Sequence, residues 1–378
     1  MDFTLDSEQT ALRDAVRGLL KGYDAEHRRA VTKNDPGFDE DMWSKLAEMG
    51  ILGLPFSEDD GGMGAGQVEV SVVAEEFGRV VAPEPFVEAV VLAGGIVAAC
   101  GSDEQRKEIL GGISSGEILP AFAWADPTGG EKGVTVDGDT LTGVKEPVLN
   151  GARADTIIVF AEGRLFLVDG AATERTSYRT FDGGRAARIR FDDTPATPLG
   201  DSSTGSGGTG SDATEATQSV IAAAQVAYAH EALGAMDSAL KLTTSYLTTR
   251  KQFGVSLNRF QSLTFRAADM YTSLELTRSI VSWATMVLAD DDVSPEKKRE
   301  AAARAKLQVS KAGRHIGQEA IQLHGGIGMT AEYSVGWLTA RLTAIDHLLG
   351  DGDWAVARLA ENVASYETVD PLGAPYAG

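Results

Sequence analysis

Cysteine occurs once, at Cys100, so no disulfide can form within the chain, which suits a reducing cytoplasm. Cys100 ends the run Val97-Ala98-Ala99-Cys100 and reads as a small buried apolar residue. No apolar run reaches ~18 residues, so no membrane-spanning helix is expected. The opening Met1-Asp2-Phe3-Thr4 has no basic stretch followed by an apolar core, so no signal peptide is expected. Histidine is scarce and scattered (His27, His230, His315, His324, His347), without the spacing of metal ligands. Positive charge is also short: 34 Lys and Arg against 55 Asp and Glu leave a net charge of -21. Such a surface repels phosphate backbones and argues against non-specific nucleic-acid binding.

What is present reads as a globular protein, with 43% hydrophobic residues in 378; that length implies two or three domains. Residues 1–118 read as a helical domain. Leu5, Leu12, Val16, Leu19 and Leu20 recur at helical spacing behind a cap at Asp6 or Ser7. Further helices are expected at Trp43–Gly50, from Val70 to Phe77, and after the cap near Ser102. Between 119 and 214 the period changes to two. Val134-Thr135-Val136, Thr140-Leu141-Thr142, Thr156 to Phe160 and Leu165 to Val168 predict a middle domain built as a compact antiparallel sheet or barrel. Its end, 201–214, is serine, glycine and threonine and reads as a mobile loop. From 215 to 378 the chain is helical again. Helices are expected at Ala216–Arg250, Gln261–Leu288, Pro295–Gln322, Tyr333–His347 and Trp354–Tyr366, with Ser294 capping and Pro295 opening the third, and an irregular tail after them.

Two stretches of the last region stand out. Glu319 to Thr330 places Gly325, Gly326 and Gly328 at the end of an apolar helical run. Glycine inside a helix costs roughly 1 kcal/mol against alanine, so the cluster marks a C-cap or a close backbone approach. The second stretch, Arg250-Lys251-Gln252-Phe253-Gly254 followed by Phe260-Gln261, closes another long helix. Arg250 alone would read as a helix-end cation that favours the helix dipole.

Together, Arg250, Phe253, Gly254, Phe260, Gln261, Gln322, Gly325, Gly326 and Gly328 resemble the acyl-CoA dehydrogenase family. Its pattern is Arg-x-x-Phe-Gly, then Phe-Gln, then Gln-x-x-Gly-Gly-x-Gly about sixty residues on. The resemblance covers nearly the whole chain, including the "Gly-Gly-x-Gly" turn at Gly61-Gly62-Met63-Gly64. It implies an α+β fold with an N-terminal helical domain, a middle antiparallel β domain and a C-terminal helical bundle. It also implies FAD as cofactor, an acyl-CoA substrate and an electron-transfer protein as redox partner. Arg250, Phe253, Gln261, Gln322, Gly325, Gly326 and Gly328 are then cofactor-binding residues. In the family they hold the pyrophosphate and adenosine end of the neighbouring subunit's FAD. A guanidinium fork suits a phosphate, and glycines admit backbone amides to an anion. His324 reads as packing or as polar surface beside the phosphates.

The family's reaction needs a carboxylate base beside the substrate α-carbon. In most members it is the glutamate of "Tyr-Glu-Gly", about nine residues after an arginine. Counted from Arg341, that position is Gly350. In other members it lies on the central helix, 26 residues before the first arginine of the pattern, and that position is Ala224. Both are empty. Asp351, one residue past the first, is the substitute candidate, and its plainer role is a turn or helix cap. Glu231 lies two turns from Ala224, ~10 Å along the helix and too far. The flavin-side motif corresponds to Ala125 to Lys132, where Ala125 replaces the ring-bonding threonine and Glu131 a serine. In Lys145 to Gly151, Pro147 replaces a tryptophan and Leu149 a second flavin-bonding threonine. Trp124 either joins the β-domain core or fills the flavin slot.

The residues for a neighbour's FAD are kept and those for the chain's own are lost. The resemblance therefore implies a non-catalytic subunit that completes a partner's FAD site in an α2β2 heterotetramer, as in bacterial members acting on steroid side-chain thioesters. The alternatives are a self-sufficient homotetramer using Asp351 as base, and a non-enzymatic binding protein on the same fold.

Overall fold

The computed structural model describes residues 4–128, 132–200, 213–330, 333–361 and 363. Its N-terminal part is helical: α1 (Ser7–Leu19), α2 (Ala25–Lys33), α3 (Glu40–Glu48), α4 (Gln67–Val80), α5 (Gly95–Cys100) and α6 (Asp103–Ser114). A π-helical segment, Phe86–Gly94, runs directly into α5. Local chemistry starts these helices. The Asp6 carboxylate accepts from the amides of Glu8 and Gln9, and the Gln9 side chain accepts in return from the Asp6 amide. Ser102 and Gln105 make the same reciprocal pair at α6. Cys100 is buried in the helical core.

The middle region contains β1 (Pro120–Ala123), β2 (Thr135–Asp137), β3 (Thr140–Leu149), β4 (Thr156–Ala161), β5 (Arg164–Asp169), β6 (Glu174–Arg179), β7 (Arg185–Pro195) and β8 (Thr197–Pro198). They form two four-stranded sheets, β1-β4-β5-β8 and β2-β3-β7-β6. The pairs are antiparallel except β1 with β4, which is parallel because β2 and β3 intervene in the second sheet. One buried cluster takes Ile157, Val159, Phe166 and Val168 from the first sheet, with Leu141, Ile189 and Phe191 from the second. Alternation sends Phe122, Ile158 and Leu165 the other way, into the helical core. The first sheet is thus buried on both faces.

The C-terminal part holds α7 (Thr214–Thr249), α8 (Gln261–Ala289), α9 (Pro295–His324), α10 (Ser334–His347) and α11 (Gly352–Glu361), with a short hairpin, β9 (Lys251–Gln252) and β10 (Val255–Ser256), between α7 and α8. Ser294 caps α9 and Pro295 opens it, as expected. Arg250 is the C-cap of α7, one residue past its end. The helix expected from Trp354 begins two residues earlier, at Gly352. Most of the expected mobile loop (201–212), Glu131 and the tail from 364 lie outside the described residues.

Helix α7 is the axis of the molecule. It crosses α4 at two glycines: a Cβ on Gly78 would sit 1.8 Å from the Glu231 carbonyl oxygen, and one on Gly234 2.0 Å from that of Glu75. Only hydrogen at both places allows so close an approach. The crossing fixes Glu231 and its neighbours beneath the N-terminal helices.

Candidate functional site

Gly350 and Ala224, the two positions expected for a base, are far apart in sequence, and the structure brings their surroundings to one turn. Ala224 is fully buried in α7, and its neighbour Gln225 donates from Nε2 to the Leu349 carbonyl at 2.6 Å. Lys306 of α9, itself buried, donates from Nζ to the Leu348 carbonyl at 2.6 Å and also to that of Ile345. Burial pulls this ammonium down to about 8, against the opposing pull of Asp346 and Asp351. The carbonyls at the end of α10 are thus held from two sides. The chain then turns through Leu349 (φ 55°) and Gly350 (φ 101°).

Gly350 has no room for a side chain. A Cβ there would lie 2.6 Å from Cδ2 and Cε3 of Trp354. Its backbone also lies where a side-chain-bearing residue is strained. Asp351 caps α11, its Oδ1 accepting from the Trp354 amide at 2.8 Å and its carbonyl from the Ala355 amide at 2.9 Å. Beside the turn opens a cleft of about 480 Å³ lined by Trp124, Ile221, Gln225, Gly350 and Trp354. Glu296, Arg299 and Glu300, from the first turns of α9, also line it. The sequence did not single out these three, because charged residues in the first turns of a helix carry no signal beyond an exposed face.

Glu231 is committed elsewhere. Arg341 forks onto it, Nε to Oε1 at 2.6 Å and Nη2 to Oε2 at 2.9 Å. The same guanidinium donates from Nη1 to Asp182 at 3.0 Å and lies 3.7 Å from Glu88. Burial works against the Arg341 charge, but these three carboxylates outweigh it and raise its pKa. Burial alone would likewise raise the Asp182 carboxyl, yet Arg341 and the Thr180 hydroxyl pull it below the usual range. The cluster ties the π-helical segment, the β6–β7 connection, α7 and α10 together. It is a structural junction, and no free carboxylate emerges from it.

The flavin-ring positions offer no hydroxyl. Ala125 presents a methyl group, and its carbonyl is used by the Glu146 amide. Leu149 lines a separate polar cavity of about 80 Å³ beside Arg28, Asp182 and Arg341. Trp124 is half-buried and lines the larger cleft. A flavin ring there would therefore find neither of the two side-chain hydroxyls expected of the family pattern.

The dinucleotide-side residues form an outward-facing surface. Arg250, Gln261, Gln322, Gly325 and Gly326 are exposed. Phe253 stands 91% exposed, its ring edge-on to Phe260. Gly325, at φ 62°, is the C-cap of α9, and the chain continues as a 3₁₀ turn, Gly325–Met329. Nothing lies within 4 Å of where side chains at Gly325 and Gly326 would be, so the backbone there is open to an anion. Gly328 alone is buried, against the Ile321 carbonyl. The glycines thus serve both as helix cap and as open backbone. His324 is buried beneath them, between the rings of Tyr246 and Tyr333.

The N-terminal domain model of the acyl-CoA dehydrogenases matches residues 6–117, and the C-terminal domain model matches residues 214–364. The chain belongs to the acyl-CoA dehydrogenase family. A probable acyl-CoA dehydrogenase of Bacillus subtilis, YngJ, is 27% identical over 95% of this chain and 98% of its own. Among solved structures, a variant of the Tcur3481-Tcur3483 steroid acyl-CoA dehydrogenase is 29% identical with a TM-score of 0.84, covering 96% of this chain and 99% of that one. The ChsE4-ChsE5 complex from Mycobacterium tuberculosis gives a TM-score of 0.85 at 23% identity, covering 97% and 100%. At that identity it shows the fold alone. FAD-dependent dehydrogenation is general to the family.

Proposed function

We propose that this chain is the non-catalytic subunit of a heteromeric, FAD-dependent acyl-CoA dehydrogenase, and that it completes the FAD site of a catalytic partner. The observation that carries the reading is Gly350. The base position is filled from outside by Trp354, so the loss of the carboxylate is built into the packing. The second base position, Ala224, is sealed in the core, and Glu231 is spent on Arg341.

Three further observations support it. The side chain of Arg250 has no ion pair among the described residues, as expected of a cation kept for an anion outside the chain. Large apolar side chains are also unburied after Arg250, at the start of α8 and on the glycine loop: Phe253, Phe265, Ile327 and Met329 are all exposed. Exposed apolar groups of this size suit an interaction surface. Two solved relatives also carry two-component names, and one of them is called a steroid acyl-CoA dehydrogenase. A steroid side-chain thioester is accordingly the first substrate to try on the complex.

The test is Arg250→Ala co-expressed with the catalytic subunit. The complex is expected to assemble at normal size but to hold less flavin, or to lose it on washing, because a charge-assisted phosphate contact is gone. An intact complex with full flavin would make Arg250 an ordinary surface residue and contradict the proposal that this chain completes the partner's FAD site.

A further inference from the structure

The aromatic stack under the glycine loop joins the two arms of the dinucleotide surface, and one of its members can change charge. We propose that His324 is the positioning residue that couples the Arg250 arm to the glycine loop, and that this surface is assembled only while its imidazole is neutral. The inference rests on the partner-subunit reading for its purpose, but its geometry lies within this chain.

The Arg250 amide donates to the Tyr246 carbonyl at 2.8 Å, so the arm hangs from the turn that carries Tyr246. The Tyr246 ring lies 4.7 Å from the His324 ring, inclined at 32°. Tyr333, just beyond the glycine loop, meets His324 at 4.9 Å and 54°. His324 directly precedes Gly325, and a Cβ on Gly328 would fall 3.0 Å from the His324 Cβ, so the loop folds back over it. One imidazole therefore touches the root of the arm and both ends of the loop.

Its protonation is fixed by its partners. Nδ1 lies 2.7 Å from the Ala320 carbonyl, which can only accept, so Nδ1 carries the proton. Nε2 is buried with no hydrogen-bond partner among the described residues. Protonating it would create a buried cation with no carboxylate beside it among the described residues, and with only the Leu242 carbonyl to face the new N–H. Among the described residues, the titratable groups packed against it are the phenols of Tyr246 from α7 and Tyr333 before α10. The carbonyls of Ala320 and Leu242 also face it, and among the described residues no carboxylate contributes to its titration. Burial, the largest influence, holds the ring's pKa below the ordinary 6.5. A depressed histidine contributes stability that is full above the unfolded value and is lost as pH falls through 6.5 toward the folded value. Arm and loop should therefore loosen together on mild acidification.

Hydrogen exchange on the isolated chain, corrected for intrinsic rates, tests this without flavin. Between pH 7.5 and 5.5, the wild type should lose protection at 250–260 and 325–330 together. His324→Phe keeps the stack but cannot be charged, and should keep its protection at both pH values. His324→Ala should lose protection in both segments at either pH. In the complex, His324→Ala should lower flavin content, whereas His324→Phe should retain flavin and lose its pH dependence. Independent or pH-insensitive exchange of the two segments in the wild type would overturn the coupling. So would a His324 imidazole that titrates at or above 6.5 by NMR, a measurement that needs no variant. If Arg250→Ala depletes flavin and His324→Ala does not, the positioning role falls and the partner-subunit reading stands. If neither variant depletes flavin, that reading falls, while the exchange data still judge the coupling.

Discussion

The indole of Trp354 occupies the space that a side chain on Gly350 would need, with ring carbons 2.6 Å from the position of its Cβ. Trp354 sits in the first turn of α11, held there by the Asp351 cap. A cap, a tryptophan and a positive-φ glycine thus form one local unit that leaves no room for a carboxylate at Gly350, where we propose that the base position lies.

Writing the base back should therefore fail twice. Gly350→Glu forces a side chain into a conformation that costs about 1 to 3 kcal/mol and drives it against the indole. Thermal or denaturant unfolding should show the loss, with no dehydrogenation gained. Adding Trp354→Ala should recover only part of the stability, since the backbone strain remains. A stable, active Gly350→Glu single variant would show that the turn adapts.

The pair Arg341 and Glu231 makes a different prediction. Arg341→Met leaves Glu231, Asp182 and Glu88 facing one another without their shared cation. Breaking a buried pair from one side costs about 3 to 5 kcal/mol. Arg341→Met combined with Glu231→Leu should cost less than the two single losses added together. Strict additivity in a double-mutant cycle by urea unfolding would mean that the fork carries no coupling.

Glu84 predicts a pH signature. It is buried, its Oε1 accepts from the Tyr23 hydroxyl and the Asp39 amide, and its Oε2 has no partner among the described residues. Burial pushes its carboxyl up to about 7. A carboxyl raised in the folded state binds its proton more tightly there than in the unfolded chain. Its contribution is therefore full below the ordinary 4.5 and is lost as pH rises toward 7. The difference between the two values amounts to roughly 3 kcal/mol at most. Glu84→Gln cannot titrate, so its stability relative to wild type should improve between pH 5 and 7. Parallel stability curves for the two proteins would contradict this.

Much of the fold was legible from the sequence, for physical reasons. Helices with caps such as Asp6, Ser102 and Ser294 announce their starts, and strand-like runs announce β2 to β5, whereas β1, β6, β7 and β8 were not read from the sequence. The split between two sheets was not legible, nor was the parallel pairing of β1 with β4. Those depend on which strands the chain crosses between, and local alternation does not encode that. At the site, counting along the chain picked out Gly350 and Ala224 as the expected base positions. That Trp354 fills the first of them was not, because a residue four places on carries no mark of folding back. The grip of Lys306 and Gln225 on the same turn was equally hidden. Buried donors to backbone carbonyls leave no sequence pattern.

The central claim is that this chain has given up its own flavin site while keeping the face that serves another. The most direct measurement is flavin content by absorbance, on the chain purified alone and on the chain co-purified with a catalytic relative. The account predicts a colourless protein without dehydrogenase activity in the first case. In the second it predicts a yellow complex whose flavin depends on this chain being present. A bound flavin near one per chain in the protein purified alone, with turnover of an acyl-CoA, would contradict it.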